Sequence, residues 1–136
     1  KEKEIDWLFI IGWSQIADER LLNSPKKGAI GMHPTLLPEG RGRAAIPWAI
    51  IKGLKKTGVT MFKLDSGVDT GQIMGSFEIP LSDDTTASIL YDKVNDAHRF
   101  LIEKVWDDLV EDRIQMIAQS EQDASYWEGR KPEDGE

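Results

Sequence analysis

GAIGMHPTLLPEGRGRAAIPW, residues 28–48, reads as strand, loop and helix in one continuous pass. Residues 28–32 are small or apolar and suit a short buried strand. Pro34, Pro38, Gly40 and Gly42 then follow so closely that regular structure cannot continue, which places this loop where strands end. Pro47 fits the first turn of a helix running to about Lys52, where its missing N–H costs little.

Working outward, WLFII at residues 7–11 is an unbroken apolar run. Such a run makes a strand, here residues 7–12, buried on both faces of a parallel sheet and needing neighbours on both sides. The expectation is therefore the later part of a larger α/β unit, or a sheet completed in another way. Residues 14–22 suit a short helix with Ile16, Leu21 and Leu22 on its buried side and Pro25 beyond its end. Downstream, VTMFKL (59–64) and IMGSFEIPL (73–81) read as two strands flanking the turn-rich SGVDTG. Asp83, Asp84 and Thr85 offer N-caps for a long helix to about Glu111. Ile89, Leu90, Val94, Ala97, Leu101, Val105 and Leu109 recur on it at the three-and-four spacing of one face. From residue 119 the polar tail QSEQDASYWEGRKPEDGE carries Tyr126 and Trp127 as anchors and ends in an acidic stretch. The organisation expected is one α/β domain over residues 1–118 and a tail, 119–136, that packs on it or leaves it.

Composition narrows the function classes. With 136 residues, 40% of them apolar, one domain can bury one core. A net charge of -7 opposes non-specific binding to nucleic acid or an anionic membrane. The absence of cysteine removes disulfides, thiolate metal ligands and a cysteine nucleophile. With two histidines and no paired ligand spacing, no metal site is expected. No apolar run approaches the roughly 20 residues that span a bilayer. The opening KEKEID does not resemble a signal peptide, so a cytoplasmic location is expected.

His33 follows the second strand and precedes Pro34, which holds it extended and out of any helix. Ligands of parallel sheets bind beyond the carboxyl ends of strands, so a histidine there is placed for acid–base work; the alternative is a strand-end cap. Asp69, between Val68 and Thr70, is either its partner or an Asx-turn residue bonded to its own backbone, and Asp65 carries the same alternative. The Gly40-Arg41-Gly42-Arg43 cluster could form an anion site, although neither the nucleotide P-loop nor the dinucleotide fingerprint is present. His98, inside the long helix, has a packing or solvent role.

Taken together, HPTLLP, GRG, Trp48 followed by AIIKG, and TGVTMFKLDSGVDTGQI resemble the catalytic domain of the folate-dependent formyltransferases. That family includes methionyl-tRNA, glycinamide ribonucleotide and sugar-nucleotide N-formyltransferases. The resemblance covers residues 5–81 well, and the tail resembles the family's terminal motif. It implies a Rossmann-type open sheet, lacking its first βα units and closed by the long C-terminal helix. It also implies a transferase of one-carbon metabolism that moves a formyl group from 10-formyltetrahydrofolate to a primary amine through a tetrahedral intermediate.

The family's histidine maps to His33 and its acid to Asp69. His33 would polarise the oxyanion or shuttle protons, and Asp69 would orient the ring and favour its charged form. The family's asparagine, an oxyanion donor, maps to Gly31. That departure requires a substitute donor, for which Gln15, Ser14 or a loop N–H are the candidates. By the same resemblance the folate would lie against Trp13, Ser14, Ile16, Leu22, Asp65 and Val68, with Ile16 and Leu22 equally readable as core. The long helix and the tail would cover the sheet and not the chemistry.

The acceptor expected is a small-molecule amine, with an amino sugar nucleotide favoured because an acidic chain without a basic C-terminal domain is poorly suited to gripping tRNA. Two other readings stand beside the enzyme. One is a folate-binding homologue or fragment without efficient transfer, for which Gly31 speaks. The other is an interaction subunit pairing through an exposed sheet edge, with itself as a homodimer or with a partner.

Overall fold

The computed structural model describes residues 6–11, 20, 22, 25–65, 67 and 69–127. In chain order the elements are β1 (Trp7–Ile10), β2 (Gly28–His33), β3 (Arg41–Gly42), helix α1 (Ala45–Ile51), β4 (Lys56–Lys63), β5 (Ile73–Pro80), helix α2 (Ala87–Val110), a 3-10 turn (Glu121–Asp123) and β6 (Tyr126–Trp127). Four strands form the main sheet in the order β1-β2-β4-β5, while β3 and β6 pair separately. The fold is α/β with a long C-terminal helix, as the sequence pattern requires.

The sheet is mixed, not parallel throughout. β1 and β2 run parallel, with Trp7 opposite Gly28 and Ile10 opposite Gly31. β2 with β4 and β4 with β5 run antiparallel. The correction follows from chain length: only nine residues, 64–72, join β4 to β5, which is too short for the crossover a parallel pair needs. Among the described residues β1 pairs with β2 alone and its four residues are half-buried, in keeping with a strand that needs further neighbours, whereas the six residues of β2, flanked by strands on both sides, are all buried.

Alternation along the strands sorts side chains onto two faces. Ile30 and Met32 of β2, with Val59 and Met61 of β4, enter the core against Ile46 and Ala49 of α1 and against α2. Gly31 and His33 consequently point the other way, beside Phe62 and Thr60, their cross-strand neighbours. The strand that feeds the core therefore delivers the histidine to the opposite face.

Helix α2 buries Leu90, Val94, Ala97, Leu101, Val105 and Leu109 on one stripe. Ile89 does not share it and is 44% exposed, because a residue one step from Leu90 is rotated about 100° round the axis. The N-cap is Thr86, whose hydroxyl accepts from the N–H of Ile89 at 3.2 Å, and not one of the three residues before it. Pro47 sits in the first turn of α1 as expected. The expected helix over 14–22 falls mostly outside the described residues; Arg20 and Leu22 are helical.

Two outcomes test this packing. Leu101→Ala is expected to cost about 2–5 kcal/mol in urea unfolding, and Ile89→Ala to stay within about 0.5 kcal/mol. His98 is half-buried, and burial lowers its pKa below the ordinary 6.5 by penalising the charged ring. The unfolded chain therefore binds a proton on this ring before the folded chain does, so its contribution is fully present above 6.5 and is lost as pH falls through the folded value. Thermal unfolding between about pH 7 and about pH 5 should show a shallower loss of Tm in His98→Gln than in the wild type.

Candidate active site

His33 closes β2 and is 7% exposed. A buried imidazole must be partnered. Its Nε2 lies 2.7 Å from the carbonyl oxygen of Gly40, and because a carbonyl only accepts, Nε2 carries the hydrogen and donates it. Its Nδ1 lies 3.4 Å from Oδ2 of Asp69. The histidine, at the end of one strand, and the acid, in the turn between β4 and β5, thus meet at the carboxyl end of β2.

The loop that supplies the Gly40 carbonyl is tied down by buried hydroxyls. Thr35 donates to the carbonyl of Glu39 at 2.7 Å. Thr60 of β4 donates to the carbonyl of Thr35 at 2.7 Å and accepts from the N–H of Leu37 at 3.0 Å, next to a cis bond between Leu37 and Pro38. Two fully buried threonines therefore hold the turn that faces the imidazole.

Asp69 adopts a left-handed backbone, φ 57°, which an aspartate tolerates better than most residues. Its Oδ2 accepts from the N–H of Gly42 at 2.8 Å while facing His33. Behind it, the side-chain amide of Gln119 donates to the carbonyls of Asp69 at 2.9 Å and Gly71 at 2.7 Å. The oxygen of that amide accepts from Arg41 Nε at 3.1 Å and Nη2 at 3.0 Å. Arg41 is itself paired with both carboxylate oxygens of Glu121, which holds the guanidinium more firmly charged and lowers the Glu121 pKa.

This overturns two expectations. Arg41 is buried and committed to Gln119 and Glu121, so the glycine and arginine cluster does not present it to an anion. Gly42 instead admits a backbone: at φ 114° a Cβ there would stand 2.2 Å from the carbonyl oxygen of Trp127, the residue it pairs with in β6. The tail, expected to lie away from the candidate residues, reaches the turn of Asp69 through Gln119. An antiparallel bridge between Ile73 and Ile117 brings that residue to the turn. Gln119 and Thr60 carried no signal of their own, because a polar residue in a tail or a strand takes its meaning from what lies opposite.

Gly31 shares the face of His33. A Cβ placed on it would meet Leu64 Cδ2 at 2.9 Å, so the space beside it is filled by the end of an apolar side chain. The substitute donors Gln15 and Ser14 lie outside the described residues, as do Trp13, Ile16 and Val68. Leu22 is buried at 7% exposure. Asp65 is exposed and caps its own turn, accepting from the N–H of Gly67 at 2.9 Å and the hydroxyl of Thr70 at 2.6 Å. Among the described residues no group of three or more acids and histidines could hold a metal ion, and no helix is long and apolar enough to cross a membrane.

A strand-end histidine facing a turn aspartate, on a mixed sheet backed by one long helix, defines a class that comparison with known proteins makes specific. The sequence profile of the Formyl transferase family matches residues 1–105, and the chain belongs to that family. It is 36% identical over 126 residues to a methionyl-tRNA formyltransferase of Clostridium tetani (strain Massachusetts / E88), an alignment covering 93% of this chain and 41% of that protein. The formyltransferase PseJ from Anoxybacillus kamchatkensis was solved in complex with UDP-4,6-dideoxy-4-formamido-L-AltNAc and tetrahydrofolate. It superposes with a TM-score of 0.79 at 25% identity, over 90% of this chain and 64% of that one. HypX from Aquifex aeolicus, solved with tetrahydrofolic acid, gives a TM-score of 0.84 at 19% identity over 95% of this chain and 22% of its own, a likeness of fold alone. The chain thus spans less than two thirds of the length of these relatives.

The two glycines that frame the site respond differently to a methyl group. Gly31→Ala displaces only the end of a flexible leucine and is expected to stay within about 1 kcal/mol of wild type. Gly42→Ala meets backbone at positive φ and is expected to cost about 2 kcal/mol or more. Urea midpoints at constant m-value distinguish them, and equal midpoints would contradict this account of β3 and β6.

Proposed function

We propose that this chain takes part in transferring a formyl group from 10-formyltetrahydrofolate to a primary amine, with His33 and Asp69 as the catalytic pair. The observation that carries the proposal is the buried imidazole held between a carboxylate and a carbonyl at the end of β2, in a chain of the formyl transferase family. The donor set suits the substrate. The Nε2–H of His33 already meets a carbonyl oxygen, the acceptor type that a formyl oxygen presents.

In this reaction the amine nitrogen attacks the formyl carbon, a new C–N bond forms, and the bond from that carbon to the folate N10 breaks. One proton leaves the amine and one reaches N10. His33 donates Nε2–H to the developing oxyanion, sharing or exchanging the contact to Gly40, while Asp69 keeps Nδ1 turned toward itself. With glycine at position 31, a second oxyanion donor comes from the segment containing Ser14 and Gln15, or from a loop N–H. The folate is held by Trp13, Ser14, Ile16, Leu22, Asp65 and Val68.

The favoured acceptor is an amino sugar nucleotide. The sugar-nucleotide complex of the PseJ relative supports it. The 36% identity to a methionyl-tRNA formyltransferase supports an RNA-borne amine as the other acceptor and makes it the comparison to run. A second reading, folate binding without efficient transfer, is favoured by one observation: Leu64 occupies the space beside Gly31 and offers no hydrogen bond.

The test is a formyl-transfer assay on the full-length protein with amino sugar nucleotides and methionyl-tRNA as acceptors. His33→Ala is expected to lower kcat by about 10²- to 10⁴-fold, and Gln15→Ala by about 10²- to 10³-fold if its amide is the substitute donor. Full activity in His33→Ala would sink the catalytic assignment. Saturable binding of a formylfolate analogue with no transfer to either acceptor would establish the second reading.

A further inference from the structure

The carboxylate of Asp69 serves His33, yet the backbone that carries it sits in a left-handed turn where an L-residue is held only by its surroundings. Two grips are visible. Gly42 donates its N–H to the carboxylate, and Gln119 donates both hydrogens of one amide nitrogen to the carbonyls of Asp69 and Gly71. The orientation of that amide is not ambiguous. Its other end faces Nε and Nη2 of Arg41, which can only donate, so the oxygen must lie there and the nitrogen must face the turn.

The guanidinium is fixed in its own right. Arg41 as a residue is 6% exposed, and Glu121 takes two of its N–H groups at 3.0 and 2.9 Å. Arg41 also immediately precedes Gly42, so the residue that aims Gln119 is joined to the one that holds the carboxylate. The carbonyl end and the carboxylate end of Asp69 are thereby set by one short piece of β3.

We propose that Gln119 is a positioning residue for Asp69 and through it for the His33 ring: it locks the turn so that the carboxylate stays on Nδ1. Only a primary amide of this length fits. It must accept twice from Arg41 and donate twice to backbone carbonyls. Glutamate of the same size keeps the pairing with Arg41 but turns an oxygen onto two carbonyl oxygens. If Gln119 served only to bury Arg41 with a partner, glutamate would serve equally well.

The consequence for turnover rests on the formyl-transfer reading, whereas the consequence for the ring does not. The test therefore reads both. The chain has two histidines, so His98→Gln assigns the His33 ring signals in long-range ¹H–¹⁵N spectra of the folate-free protein. Gln119→Glu is expected to move the Nδ1 and Nε2 resonances of His33 while circular dichroism remains that of the folded chain. In the assay kcat is expected to fall about 10- to 100-fold, as misplacement of a catalytic group does, with KM for the formyl donor within about threefold. Should Gln119→Glu not fold, Gln119→Leu, which removes the donations and the acceptor of Arg41 together, is read against Glu121→Gln, which weakens the pairing of Arg41 and leaves the Gln119 amide in place; only Gln119→Leu is then expected to move the His33 resonances. Unchanged His33 resonances in either folded Gln119 variant would overturn the proposal, whatever happens to kcat. Moved resonances in a protein whose wild type transfers no formyl group would leave the positioning role standing and refute the reaction.

Discussion

Burying an imidazole with both nitrogens facing protein oxygens is the constraint around which the rest of this structure is arranged. A polar ring removed from water without partners would cost several kcal/mol. His33 meets the requirement with one backbone carbonyl and one carboxylate, and neither comes from its own strand. The carbonyl requires that residues 34–40 fold back over the end of β2. The carboxylate requires that the turn between β4 and β5 lean across the same end.

Each of those segments then needs its own anchor, and the anchors lie in yet other elements. Thr60 pins the first from the neighbouring strand, and its position directly opposite His33 makes ring and hydroxyl a cross-strand pair on one face. The second is pinned from the tail, which the bridge between Ile73 and Ile117 carries alongside the sheet. Polar networks of this kind are stable only when every member is satisfied. That explains why a charged side chain such as Arg41 is found buried here: it makes four hydrogen bonds to Gln119 and Glu121, those to Glu121 forming an ion pair.

Gly31 fits this arrangement as a matter of packing, whatever donor serves the chemistry. The strand passes between β1 and β4 with Leu64 lying over the glycine, and a side chain at position 31 has room only if the end of Leu64 moves. Leu64 fills that space without offering a hydrogen bond, since a leucine side chain has no hydrogen to donate.

Much of the fold was legible in residues 28–48 and in the stripe of α2. Strand, proline-rich loop and helix start follow from local rules of periodicity, φ restriction and capping, which act over a few residues and need no partner. His33 at a strand end and Asp69 in a turn were visible for the same reason. The motifs between them marked the family. Tertiary structure alone decided the direction of β4 and β5, the exposure of Ile89 and the commitment of Arg41. It also decided that a glutamine in a polar tail would hold the turn of Asp69. These outcomes depend on which groups face one another across space, and hydrogen-bond satisfaction in a buried network is a property of the assembled set of donors and acceptors, not of any segment of the chain.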